Sequence, residues 1–278
     1  MNLAIEISAN GARIPALGFG TYSTSPSDIQ RMVPAALRAG FRHIDTAQVY
    51  GNEAAIGDSL ARAGVDRADL FLTTKVWVDN YHPKRFAASV DASLRKLQSS
   101  YVDLLLLHWP SDAVPLADQI GALEATVTAG KVRHIGVSNF NSALVDEATR
   151  LSRRPLVTNQ VEYHPYLPQS LVIERTRRAG MAVTAYCPMA VGRVFGEPLL
   201  RELAARYRRS VAQIVLRWVV QQGIVALSRT MSDQRVAENA AIFDFELAAD
   251  DLAAIGALSA ARSRIVNPPG LAPAWDPA

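Results

Sequence analysis

Eight short runs of β-branched and aliphatic residues alternate with longer amphipathic stretches along this chain, and that alternation constrains the fold more than any other feature. The runs are ALGFG (16–20), FRHID (41–45), FLTTK (71–75), VDLLLLH (102–108), VRHIGV (132–137), LVTNQV (156–161), AVTAY (182–186) and GIVAL (223–227). Strands that alternate with helices pair in parallel, and eight such units close a ring. The expected architecture is an α/β fold, a (β/α)8 TIM barrel. A length of 278 residues suits one such barrel or two smaller domains. With neither repeat nor linker in sight, a single domain over 1–278 is predicted.

The clearest helix is expected over 210–221, where Val211, Ile214, Val215, Trp218 and Val219 recur at helical spacing. Ser210 and Gln213 form a capping-box pattern at its start, and Gly223 marks its end. Ahead of the barrel, β-prone residues flank Asn10-Gly11, which predicts an N-terminal β-hairpin plugging the barrel's bottom. After Arg264, four prolines without periodicity predict an extended C-terminal tail folded over one mouth.

Composition narrows the function classes. With 49% hydrophobic residues, 20% charged residues and mean hydropathy +0.07, the chain can bury a sizeable core, which excludes disordered, collagen-like and disulfide-stapled folds. Cys187 stands alone, so no intrachain disulfide forms, as suits a reducing compartment. The segment MNLAIEISANGARIP carries Glu6 and lacks a long apolar core, so it does not read as a signal peptide. No stretch approaches the ~20 apolar residues of a membrane span. A soluble cytoplasmic protein is expected, without membrane partners. Net charge is +3, and basic residues spread from Arg13 to Arg264, which argues against nucleic acid as a partner. Only 4 of the 29 basic residues are lysines, so an arginine can stand where a lysine is usual.

Barrel active sites lie at the carboxyl ends of the strands. There the second run ends in Asp45 with Tyr50 five residues on, the third in Lys75 and the fourth in His108. Taken singly, Lys75 reads as a partly solvated strand end, Asp45 as a helix N-cap and His108 as a satisfied core histidine. The segment GFGTYS (18–23), with Asp45 downstream, mimics a Rossmann fingerprint, but its third glycine is missing and the helix starts late. No HExxH or paired-cysteine motif occurs, and His43 and His134 fall inside strands, so no metal is expected.

Several motifs in register resemble the aldo-keto reductases: GFRHIDTAQVYGNEAAIG (40–57), TTKVW (73–77), LLLLHWP (104–110), GVSNF (136–140), TNQVEYHP (158–165), AYCP (185–188) and RVAEN (235–239). The ending NPPGLAPAWD looks most like the compact bacterial branch that includes 2,5-diketo-D-gluconate reductases. This resemblance implies a catalytic tetrad of Asp45, Tyr50, Lys75 and His108. A carbonyl that accepts a hydride needs a proton at oxygen, and Tyr50 is the donor implied. An unperturbed tyrosine, with a pKa of about 10, holds its proton tightly, so Lys75 is expected to lower that pKa while Asp45 positions Lys75. His108 would orient the carbonyl and stabilise its developing charge.

The resemblance further implies a nicotinamide cofactor, NADP(H). Ser138, Asn139 and Gln160 would bind its carboxamide, and Tyr186 would stack on the ring, with Thr21, Asp45, Cys187 and Met189 also at the site. The family's frequent Pro-Lys-Ser is here Ser228-Arg229-Thr230, which aligns Arg229 with the lysine. Arginine still pairs with a 2′-phosphate, bidentately. Arg235 would be a second phosphate ligand, Thr230 would lie beside it, and Glu238 and Asn239 would meet the adenine. Tyr22, Trp77 and Trp109, with Tyr50 and His108, are the expected walls for a small carbonyl substrate such as a keto-sugar or methylglyoxal. About two dozen residues join the fourth strand to the fifth, too few for a large lid. A monomer is expected. Two other readings share this architecture: a cofactor-binding redox-sensor module, and a Schiff-base aldolase using Lys75.

Overall fold

The computed structural model describes residues 5–260 and 264–277, so the first residues of the hairpin reading lie outside it. The strands are β1 (Glu6–Ala9), β2 (Ala12–Pro15), β3 (Leu17–Gly20), β4 (His43–Asp45), β5 (Phe71–Val76), β6 (Val102–Leu107), β7 (Val132–Ser138), β8 (Leu156–Glu162), β9 (Ala182–Tyr186) and β10 (Val225–Ser228). Strands β3 to β9 pair in parallel in chain order, and β10 closes the barrel between β9 and β3. Around it run α1 (Pro26–Arg38), α2 (Glu53–Arg62), α3 (Pro83–Leu97), α4 (Leu116–Thr128), α5 (Ser142–Leu151), α6 (Ser170–Arg178), α7 (Pro198–Tyr207), α8 (Val211–Gln221), α9 (Asp233–Ala240) and α10 (Ala249–Ala257). All eight expected runs become barrel strands. The second and last begin two residues later than read: β4 starts at His43, and Gly223, at φ +71°, still belongs to the turn that ends α8. The Ser210–Gln213 capping box forms as expected.

Side chains on a strand point alternately to its two faces. On β6 every residue is buried: Leu104 and Leu106 pack inside the barrel, while Leu105 and Leu107 pack outward in the cluster shared with the helices. The inner cluster also includes Phe71, Val157 and Val225 together with Ala9, Ala12 and Ile14 of the hairpin. The hairpin therefore closes the bottom of the barrel. Its turn residues take φ +45° (Asn10) and +87° (Gly11), the left-handed pair that a tight β-turn requires. Asn10 Nδ2 pins it by donating to the carbonyls of Leu156 (2.7 Å) and Ala179 (2.9 Å).

The first glycine of GFGTYS, Gly18, has a packing cause rather than a phosphate-binding one. A Cβ on Gly18 would lie 2.7 Å from Leu227 Cδ2 and 2.8 Å from His43 Nδ1, so the buried imidazole occupies the space that a side chain would need. His43 Nε2 meets Thr73 Oγ1 at 3.0 Å. Burial lowers the His43 pKa to about 4, against the opposing pull of Asp45. Its ordinary value is 6.5, so between pH 6.5 and about 4 the unfolded chain binds a proton that the folded one refuses. Stability is thus complete above that window and falls as pH drops through it, by up to about 3 kcal/mol from this residue. Urea midpoints at pH 7 and pH 4.5 should show the loss. His43→Gln should flatten the pH slope by one proton, and an unchanged slope would exclude His43 as its source.

Candidate active site

The carboxyl ends of β4, β5 and β6 bring Asp45, Lys75 and His108 to one mouth. Tyr50 reaches it from a 3-10 turn, Gln48–Tyr50, that follows β4. Lys75 is fully buried: Nζ lies 2.5 Å from Asp45 Oδ1 and donates to the Thr46 carbonyl at 2.8 Å. The other carboxylate oxygen of Asp45 accepts from Gln160 Nε2 at 2.8 Å. The Lys75 ammonium sits 5.2 Å from the centroid of the Tyr50 ring. Tyr50 and Trp77 present edges to the His108 ring, with centroids 5.6 and 5.3 Å away. Tyr22 stands on the rim, 66% exposed, with its ring 5.2 Å from that of Tyr50.

The loops are fixed by amides that sequence reading did not single out. Asn52, just past the Tyr50 turn, donates through Nδ2 to the carbonyls of Thr21 (2.8 Å) and Thr24 (3.3 Å) and accepts from Thr46 Oγ1 at 2.9 Å. Gln48 accepts from the Trp77 backbone N–H (3.1 Å) and Asn80 Nδ2 (3.0 Å), and donates to Ser89 and Ser93. One side chain thus ties the Tyr50 turn to the Trp77 loop. Nothing in their local sequence separates these residues from ordinary loop amides.

The electrostatics correct one expectation. Tyr50 is pushed well above the ordinary tyrosine range, first by burial and then by the negative charge of Asp45. Burial thus dominates the resting phenol even with the Lys75 ammonium beside its ring, so the net shift is upward rather than downward. Lys75 itself is lowered by burial, with Asp45 opposing. His108 is held well below its usual value, by burial first and Lys75 second, so it is a neutral imidazole. Its Nδ1 is buried and has no partner among the described residues.

The aldo/keto reductase family profile matches residues 16–260. The chain belongs to the aldo-keto reductase family. The methylglyoxal reductase DkgB of Salmonella typhimurium (strain LT2) is 37% identical over 266 residues, covering 95% of this chain and 99% of the relative. A solved protein assigned as a 2,5-diketo-D-gluconic acid reductase B superposes with TM-score 0.96 at 55% identity, covering 98% of this chain and 97% of that one. An aldo/keto reductase of Brucella melitensis superposes with TM-score 0.87 at 36% identity, covering 91% and 98%. This aldo-keto reductase is thus an oxidoreductase of a family that acts on carbonyl compounds with nicotinamide cofactors.

In this reductase the residues expected at the cofactor line the mouth on the side of β7 to β10. Ser138 Oγ donates to the Gln160 carbonyl (2.8 Å), Asn139 Nδ2 to the His108 carbonyl (2.9 Å), and Tyr186 Oη to Asn139 Oδ1 (2.7 Å). Ser138 Oγ also accepts from Asn139 Nδ2 at 3.1 Å, so its remaining lone pair and Gln160 Oε1 are what would meet a ligand amide. Thr21 Oγ1 donates to the Asp45 carbonyl at 2.9 Å. Cys187 and Met189 are half-buried after β9, and burial pushes the Cys187 thiol up, which disfavours its thiolate. Beyond β10, Arg229 is exposed and donates to the Ser23 carbonyl at 3.3 Å. Thr230 Oγ1 accepts from Ser232 N–H, and Arg235 stands exposed in the first turns of α9, with Glu238 one turn on. Asn239 Nδ2 donates to Ser228 Oγ at 2.8 Å, while its buried Oδ1 has no partner among the described residues. The exposed Arg229 and Arg235 guanidinium groups and the unpartnered Asn239 Oδ1 are the groups that would hold a phosphorylated adenine nucleotide.

Trp109 is buried behind His108. Its backbone N–H and carbonyl are both bonded to Tyr81 Oη, at 3.2 and 2.7 Å, and its ring faces Trp275 at 6.4 Å between centroids. Trp275 belongs to the C-terminal tail, which folds across this mouth as expected, although the sequence did not mark it as part of the site. No helix of the described residues is long and apolar enough to cross a membrane.

Proposed function

We propose that this chain reduces a small aldehyde or ketone to the alcohol with NADPH, as a monomeric, single-domain cytoplasmic enzyme. The observation that carries the reading is the buried Lys75–Asp45 ion pair beneath the Tyr50 ring, beside a neutral His108. NADPH, when bound, supplies the hydride. His108 holds the carbonyl oxygen by a hydrogen bond and orients it. As negative charge develops there, Tyr50 gives up its phenolic proton. The alkoxide is far more basic than a phenol, so the transfer runs downhill even from a tyrosine raised by burial. Lys75 then faces the phenolate, and Asp45 keeps the ammonium in place. Tyr22, Trp77 and Trp109 exclude water and confine the substrate. Methylglyoxal and keto-sugar acids, named for the relatives, suit a mouth of this kind.

The engaged, buried state of Lys75 favours this reading over an aldolase, which needs its lysine free to attack. Tryptophan-fluorescence titration with NADPH, followed by methylglyoxal, tests the reading. Quenching and then oxidation is expected, whereas binding without turnover would favour a sensor module. NADPH preference is assigned to Arg229 and Arg235. Arg235→Ala should weaken NADPH about 10-fold or more and NADH less than about twofold, since only one of the two carries the 2′-phosphate. Equal losses would remove Arg235 from that role.

A further inference from the structure

The family profile stops at residue 260, yet residues 264–277 return across the barrel mouth without helix or strand. Two carboxylates hold this tail. Glu162, the last residue of β8, is fully buried and accepts the N–H groups of Ile265 (Oε1) and Val266 (Oε2), each at 2.8 Å. Its Oε1 also meets His164 Nε2 at 2.9 Å. The Nδ1 of His164 accepts from the Tyr166 backbone N–H at 3.3 Å, which places the ring hydrogen on Nε2, facing Glu162. At the far end, Asp276 accepts from Ser142 N–H (2.8 Å) and Ser142 Oγ (2.6 Å) at the start of α5. Between these anchors Trp275 meets Trp109, and the Arg264 guanidinium lies 3.5 Å from the Trp275 ring centroid.

We propose that Glu162 is a positioning residue for carbonyl reduction, whose buried carboxylate clamps the tail so that Trp275, packed against Trp109, completes the substrate wall. This rests on the reductase reading above. Every group that faces the Glu162 carboxylate is a donor, so only a side chain with acceptors at both ends satisfies the site. Burial alone would push its pKa up, but the His164 bond and the two backbone bonds outweigh that and hold it below the usual carboxylate range. In Glu162→Gln the amide oxygen can still accept one of the two backbone N–H groups, but the amide nitrogen must face the other, so one of the tail's two bonds is replaced by a donor–donor clash.

The test uses Glu162→Gln, Trp275→Ala and the double variant, with NADPH and methylglyoxal. Each single variant should raise KM about 10-fold and keep kcat within about threefold, because wall contacts are lost while the tetrad stays. The double variant should be no worse than the worse single one, since the clamp acts through Trp275. Additive losses, or a fall in kcat at constant KM, would overturn the proposal. A second readout needs no turnover: trypsin should cut after Arg264 in Glu162→Gln and spare the wild type, with fragment 265–278 identified by mass. If the wild type reduced no carbonyl, the reductase reading would fail alone, and trypsin would still decide the clamp, an uncut Glu162→Gln overturning it. Should Glu162→Gln not fold, Asp276→Ala, which removes both acceptors that hold Ser142, should raise KM likewise. An unchanged KM there would overturn the proposal.

Discussion

Tyr50→Phe is expected to lower kcat/KM for methylglyoxal about 10³-fold while the Kd for NADPH stays within about twofold, because the change removes one hydroxyl and leaves the ring in place. The ring makes the edge contacts with His108 and Tyr22, so the walls of the pocket survive the substitution. What disappears is the proton that the nascent alkoxide needs. His108 cannot replace it: a neutral imidazole held well below its ordinary pKa does not carry a spare proton near neutrality. Steady-state kinetics and a fluorescence titration on the same preparation decide the matter. Residual turnover within about 10-fold of the wild type would assign the donor elsewhere.

Lys75→Met is expected to injure both stability and turnover, and the two losses can be separated. Methionine leaves the buried Asp45 carboxylate with Gln160 as its remaining side-chain partner, and breaking a buried pair in this way costs about 3–5 kcal/mol. Turnover should fall about 10²-fold or more, since the phenolate left by Tyr50 then faces no cation. Asp45→Asn combined with Lys75→Met removes the stranded charge, so urea denaturation should recover most of the lost stability while turnover stays low. Recovery of both together would mean that Lys75 serves the fold rather than the reaction.

The pH behaviour of the two internal histidines follows from the same burial. His43 and His108 are both held neutral by desolvation, one inside the barrel and one at its mouth. Acid therefore weakens the fold and the site through one physical cause, the refusal of a dry interior to accept a charge.

The sequence by itself determined the barrel, its bottom plug and the gathering of Asp45, Lys75 and His108 at one mouth. Strand periodicity and helix signals are local, and a closed parallel barrel puts every strand's carboxyl end on one face, so Asp45, Lys75 and His108 at the ends of successive strands had to meet. The capping box of α8 and the Asn10-Gly11 turn were legible for the same reason, since each is a contact between residues a few positions apart. Tertiary structure alone decided what depends on distant partners. The sequence placed Lys75 near Tyr50, but only the tertiary structure shows the 2.5 Å contact with Asp45 and a phenol buried deeply enough for desolvation to be the largest influence on it. Likewise the VEYHP segment looks like strand and turn, and nothing local announces that Glu162 receives backbone N–H groups from residues more than 100 positions later. Hydrogen bonds of that span are products of chain closure, and their donors are backbone groups that every residue but proline carries, so they leave no mark in side-chain pattern.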